Sequence, residues 1–82
     1  MSIRKLKEEF GMKYDSKDIG EHIVKLRQQK NWTRNKLALK SCVDNPVLAR
    51  IEKGENSPVL DTLLMILDGL GVQPADFFRK FS

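Results

Sequence analysis

Residues able to do acid–base, nucleophilic or metal chemistry are scarce in this 82-residue chain, in which His22 and Cys42 are the only histidine and cysteine. No nucleophile–base pair and no paired-carboxylate cleft is visible in their vicinity. Neither an enzyme nor a metal site is therefore expected, and no cofactor is implied. Cations are what the chain has in quantity. Residues 1–36 carry ten Lys/Arg against five Asp/Glu, whereas residues 37–82 carry five against six. Such asymmetry suggests one face that meets a polyanion, because phosphate neutralisation dominates nucleic-acid affinity. A merely solvated basic surface is the competing reading.

The most pointed charges sit at a helix start. Thr33 is placed to cap a helix running through Lys40, so Arg34, Asn35 and Lys36 fill its first three positions. Two cations there oppose the helix dipole by about 0.3 to 1 kcal/mol each when exposed. A phosphate bound at this helix end would resolve the conflict, since backbone N–H groups and both cations would converge on it. An exposed basic turn tolerated by solvent is the alternative. His22 falls on an expected solvent face with no second ligand near it.

Helices must position these groups, and the whole chain reads as helical, without an alternating strand pattern or an internal repeat. Ser2 could cap a first helix with Ile3, Leu6 and Phe10 on one side, ended by Gly11. A second starts near Ser16 or Asp18 and runs to about Lys30, with Ile19, Ile23 and Leu26 as its buried stripe. After the Thr33 helix, residues 41–44 form a tight turn and a further helix reaches Lys53. Pro46 disfavours helical geometry at Asn45, so that helix is expected to start at Pro46 with Asn45 as its cap. Ser57 and Pro58 are read as cap and first turn of the next helix. Its residues Leu60, Leu63, Ile66, Leu67 and Leu70 face mostly inward, and Gly71 ends it. Gln73 and Pro74 open a last turn or two carrying Phe77, Phe78 and Phe81.

Size permits one core. No stretch approaches the roughly 18 to 20 apolar residues of a membrane span, no signal peptide opens the chain, and a lone cysteine cannot form an internal disulfide. A cytoplasmic protein without a membrane partner is expected.

Residues 33–54 read as helix–turn–helix: Leu37 and Ala38 inward, Val43 in the turn, Leu48 and Ile51 inward, then Glu52-Lys53-Gly54. Ile19-Gly20, Ile23 and Leu26-Arg27 precede this unit; Pro58, Leu60, Leu63, Ile66 and Leu70-Gly71-Val72 follow it. The ordered series closely resembles the Cro and phage-repressor (Xre-type) helix-turn-helix family over about residues 18–78. The resemblance implies an all-α, compact five-helix repressor-like DNA-binding domain at 18–82, with residues 1–17 as a short helical extension. That extension, with Arg4, Lys5 and Lys7 beside its apolar residues, is read as a packed helix, with a basic arm on DNA and a partner-binding element left open.

The same resemblance implies residue roles. Arg27 and Glu52 would form an ion pair that orients the second motif helix. Base reading would fall to Asn45, Pro46, Val47 and Arg50. Arg50 is suited to guanine, Val47 and Pro46 to thymine methyls, and Asn45 would be weakened as a reader by its capping duty. Phosphate binding is expected, on the charges and the helix end rather than on the resemblance, at Thr33, Arg34, Asn35, Lys36, Lys53 and Asn56. The family commonly has glutamine and acidic residues where Arg34, Asn35 and Lys36 stand, so this chain departs from it there. Cys42 replaces the usual turn glycine, which leaves open a small residue under mild strain or a redox-sensitive one. Leu64 and Met65, beside Phe81, leave open a dimer face or a wider core.

The expected function is sequence-specific double-stranded DNA binding by a small regulator, a repressor acting as a homodimer on two half-sites about 34 Å apart. Any signal would come from concentration, a regulatory protein partner or proteolysis. A protein-interaction or antitoxin-like module that keeps the fold but reads no operator is the rival, favoured by Pro46, Ala49 and Asp44 at the reading surface.

Overall fold

A computed structural model describes residues 14–81, and among these the chain forms five helices and no strand. They are α1 (Ser16–Gln29), α2 (Arg34–Ser41), α3 (Asn45–Glu52), α4 (Leu60–Leu70) and α5 (Pro74–Arg79). The helix expected between Ser2 and Gly11 lies outside the described residues.

Local chemistry accounts for most helix starts. The Asp15 carboxylate accepts from the N–H of Lys17 and Asp18, while the Asp18 carboxylate accepts from the N–H of Asp15. This reciprocal capping box fixes the start of α1 at Ser16. Thr33 caps α2 as expected, its hydroxyl accepting from Lys36 N–H at 3.1 Å. Gln73 and Pro74 open α5, also as expected.

Two starts differ from expectation. Asp44, not Asn45, stands before α3; Asn45 is the first helical residue and Pro46 the second. A proline at the second position is tolerated because first-turn N–H groups have no partner within the helix. Helix α4 likewise begins at Leu60 after Val59, so Ser57 and Pro58 are neither cap nor first turn. The N–H groups of Glu55 and Asn56 bond back to the Arg50 carbonyl, which keeps the chain wrapped round the end of α3. Helical bonding resumes only with Leu63 N–H on the Val59 carbonyl.

Four helix ends share one device. Asn31, Cys42, Gly54 and Gly71 have φ of 60°, 58°, 77° and 71°, and each lies just past the end of α1, α2, α3 or α4. After α1, Asn31 N–H bonds Gln28 C=O and Trp32 N–H bonds Arg27 C=O. After α3, Gly54 N–H bonds Ile51 C=O and Glu55 N–H bonds Arg50 C=O. Both are Schellman closures, which turn the chain sharply through one left-handed residue. The positive φ expected at Cys42 is therefore present, filled by a residue whose β-carbon makes it costly.

Helix α1 packs on α3 and α2 packs on α4, with α2 also against α3. Ile23, Leu37, Leu48, Ile51, Ile66, Leu67, Leu70 and Phe77 fill the core. A β-carbon on Gly20 would overlap the Ile51 carbonyl oxygen and come within 2.8 Å of that of Glu52, so only glycine lets α1 approach the end of α3 this closely. Across that contact Arg27 Nε meets Glu52 Oε2 at 2.8 Å and Arg27 Nη2 meets Oε1 at 3.1 Å. The remaining guanidinium nitrogen donates to the Trp32 carbonyl at 2.9 Å. The expected ion pair is thus bidentate, with side chains only 14% and 6% exposed.

Two side chains, Leu60 and His22, face other than expected. On a wheel of 100° per residue, Leu60 lies about 70° from the centre of the Leu63–Ile66–Leu67–Leu70 stripe, and it is exposed. Phe78 is also exposed, while Phe77 is fully buried. His22 is buried rather than on the surface, its ring 4.7 Å from that of Phe77 and 5.7 Å from that of Phe81. Phe77 of α5 and Phe81 just beyond it fold over that flank of α1 and remove it from water.

Burial, then the charges of Lys80 and Lys25, hold the His22 imidazole below its ordinary pKa, against a backbone hydrogen bond with Phe77. Its buried Nδ1 has no hydrogen-bond partner. The unfolded chain takes up this proton near pH 6.5, the folded chain only at lower pH. Stability should therefore be fully present above about pH 7.5 and fall as pH drops through about 6.5. Urea titrations at pH 7.5 and 5.5 check this, and in His22→Phe the difference should shrink.

Alanine at Arg27 or Glu52 should destabilise by roughly 3 kcal/mol each, with the double mutant losing less than the sum. Arg27→Ala should cost more, since it also abandons the Trp32 carbonyl. Strict additivity in a denaturation cycle would mean that the pair does not couple.

Candidate nucleic-acid interface

Helices α2 and α3 share a polar edge where their N-termini meet. Arg34 Nε donates to Asn45 Oδ1 at 2.7 Å, and Asn45 Nδ2 donates to Asn35 Oδ1 at 3.2 Å. The first turns of both helices are thereby joined through side chains. Asn45 needs no capping role to be held, because two residues of α2 fix its amide. The sequence hint was available: two polar first-turn residues eleven positions apart, on consecutive helices joined by a turn whose length fixes their spacing.

These two bonds use only half of the hydrogen-bonding capacity of the Asn45 amide. An amide oxygen has two lone pairs and the amide nitrogen two hydrogens. Arg34 uses one lone pair and Asn35 one hydrogen, so the amide retains one acceptor position on its oxygen and one donor on its nitrogen. Adenine requires that combination in the major groove, a donor to N7 and an acceptor for N6. Arg34 spends its Nε on Asn45, and its two terminal nitrogens make no hydrogen bond among the described residues.

The remaining candidates divide by position. Thr33, Arg34, Asn35 and Lys36 are all exposed at the start of α2. Lys53 and Asn56 are exposed beyond the other end of α3. Between these groups Arg50 and Pro46 are exposed, whereas Val47 is half-buried against the core. Arg27 and Glu52 lie behind this surface and hold α3 from its inner side. Asn45, Pro46, Arg34 and Asn35 therefore come together at one end of α3, with Lys53 and Asn56 apart from them at the other.

No group of three or more His, Cys, Asp or Glu able to hold a metal occurs among the described residues. No helix among them is long and apolar enough to cross a membrane.

A helix-turn-helix family model matches residues 23–77. An uncharacterized HTH-type transcriptional regulator of Haemophilus influenzae is 41% identical over 51 residues, 62% of this chain and 52% of that protein. The HTH-type transcriptional regulator SutR of Escherichia coli is 40% identical over 55 residues, 67% of this chain and 31% of that protein. The chain thus matches about half or less of the length of these relatives. Among solved structures, the wild-type restriction-modification controller protein C.Esp1396I superposes with a TM-score of 0.74 at 30% identity, covering 78% of this chain and 82% of that one. A point mutant of the same protein gives 0.77 at 28% identity, covering 82% and 87%. Family match, relatives and fold agree with the geometry of the paired helices: the chain belongs to the helix-turn-helix family of DNA-binding transcriptional regulators, a class without enzymatic activity.

Proposed function

We propose that this chain binds double-stranded DNA sequence-specifically, as a homodimer on a two-fold operator, and represses by occupying it. The observation that carries this reading is the layout of α3. Backbone-directed groups flank both of its ends, and potential base readers lie between. An eight-residue helix rises about 12 Å, comparable to the major-groove width of about 12 Å. A helix seated in the groove would offer Arg34, Asn35 and Lys36 to one backbone and Lys53 and Asn56 to the other.

Base reading is assigned to Asn45 for adenine and Arg50 for guanine, each able to make two hydrogen bonds. Pro46 is available to a thymine methyl; half-buried Val47 contributes less. Arg34 and Asn35 hold the Asn45 amide, and Asn45 is not a cap, so capping does not compete with base reading there. Arg34 then has two duties, on phosphate through its terminal nitrogens and on Asn45 through Nε.

The proposed dimer face is the outer flank of α4. Leu60 and Leu64 stand at i and i+4 there, 65% and 40% exposed, with Met65 beside them at 41%. Phe81 does not join this patch, since its ring is engaged with Tyr14, His22 and Phe77.

Competition binding across single-base variants of a selected duplex tests the reading. Asn45→Ala and Arg50→Ala should each cost about 1 to 3 kcal/mol on the preferred site and relax preference at one base pair per half-site. Arg34→Ala should weaken all sites, flatten the salt dependence and also blur preference at the pair read by Asn45. An unchanged site ranking in Asn45→Ala would remove it from the readers. Failure of the native chain to bind any duplex at low salt would favour the interaction module instead.

Sedimentation tests the dimer. Paired Leu64→Glu and Met65→Glu should convert a dimeric native chain to a helical monomer with much weaker operator binding. A native chain that is monomeric while fully bound to operator would overturn the two-fold arrangement.

A further inference from the structure

Trp32, the only tryptophan of the chain, lies in the loop between α1 and α2, half-buried against the core. Three ammonium groups gather on its ring. Lys30 Nζ is 5.2 Å from the ring centroid, Lys36 Nζ 5.9 Å and Lys40 Nζ 6.0 Å. All three lysines are exposed, and none is ion-paired among the described residues. Lys36 belongs to the phosphate-directed start of α2; Lys30 and Lys40 lie outside the groups assigned to the operator.

Gathering three unpaired cations needs a cause. The negative face of an indole attracts each ammonium. Lys30 follows the last residue of α1 and Lys40 stands in the last turn of α2, and at helix C-termini the dipole favours positive charge. These effects hold the lysines in place without neutralising them. The cluster remains a positive patch, continuous through Lys36 with the start of α2. A DNA backbone presents the complementary row of anions, with counterions ready for release.

We propose that Lys30 and Lys40, gathered with Lys36 on Trp32, form a second phosphate-binding patch that grips the DNA backbone beside the stretch contacted by the motif. It deepens the operator reading and rests on it. The patch supplies affinity without base discrimination, since ammonium groups on phosphates carry no sequence information. Trp32 is a positioning residue: its ring keeps the lysine heads together at the edge of the interface.

The test is the salt dependence of binding to the selected operator, for the native chain, Lys30→Ala, Lys40→Ala and their double mutant. Each lost phosphate contact should reduce the magnitude of the log K against log salt slope by about 0.9, hence by about 1.8 for the double mutant. The ranking of single-base site variants should not change. Lys80→Ala, an exposed lysine of α5's C-terminal end, should retain the native slope. On a duplex trimmed to the base pairs read by the motif, the difference between native and double mutant should vanish. Trp32→Leu should lower the slope, with partial recovery in Trp32→Phe. Native binding with an unaltered slope in the double mutant would overturn the patch alone. Failure of the native chain to bind any duplex would overturn the operator reading and the patch with it.

Discussion

The Arg27 guanidinium ties three parts of the molecule together. It leaves α1, grips both oxygens of Glu52 at the end of α3, and donates to the Trp32 carbonyl in the loop that leads into α2. Both helices of the motif are thus referred to one planar group whose donors are fixed in direction. Planarity is the reason lysine could not substitute, because a single ammonium cannot hold two carboxylate oxygens and a carbonyl in one plane. The contact also depends on Gly20, whose missing β-carbon lets α1 reach the carbonyls at the end of α3. With that approach blocked, the carboxylate and guanidinium would separate and α3 would lose its inner support.

Short helices make such a clamp necessary. Helices α2 and α3 have eight residues each, and isolated helices of that length are marginal in water. Their stability comes from the caps, the left-handed closures and burial against α1 and α4. Closures at Asn31, Cys42 and Gly54 turn the chain without using extra residues, so α2 and α3 stay adjacent and their N-termini meet. The Arg34–Asn45–Asn35 bonds form only because of that adjacency. Orientation of the Asn45 side chain thus follows from backbone geometry several residues away.

Charge and burial are separated on this framework. Cations collect round the start of α2 and the Trp32 ring, whereas Phe77 and Phe81 close over α1 at His22, whose imidazole is held below its ordinary pKa by burial and by Lys80 and Lys25. The first surface suits a polyanion. The second joins the last helix to the first through ring contacts, so the domain closes on itself at its apolar side.

Patterns local to a few residues were legible in the sequence. The apolar stripes of α1 and α3, the Thr33 cap, the start of α5 and the left-handed ends at Gly54 and Gly71 follow from periodicity and from single-residue backbone preferences. The Arg27–Glu52 pairing was legible only through family resemblance, since 25 positions separate the two residues. Tertiary structure decided what depends on neighbours distant in sequence. His22 reads as exposed on its own helix and is buried because α5 folds over it. Asn45 reads as a cap beside Pro46, yet it is the first residue of the helix, its amide held by Arg34 and Asn35 through hydrogen bonds that a sequence window cannot contain. Leu60 continues an apolar spacing but falls at the edge of the stripe once α4 settles against α2. Local energies of about 1 kcal/mol set the preferences that sequence displays; burial of a whole side chain is worth about 1.5 to 3 kcal/mol and overrides them.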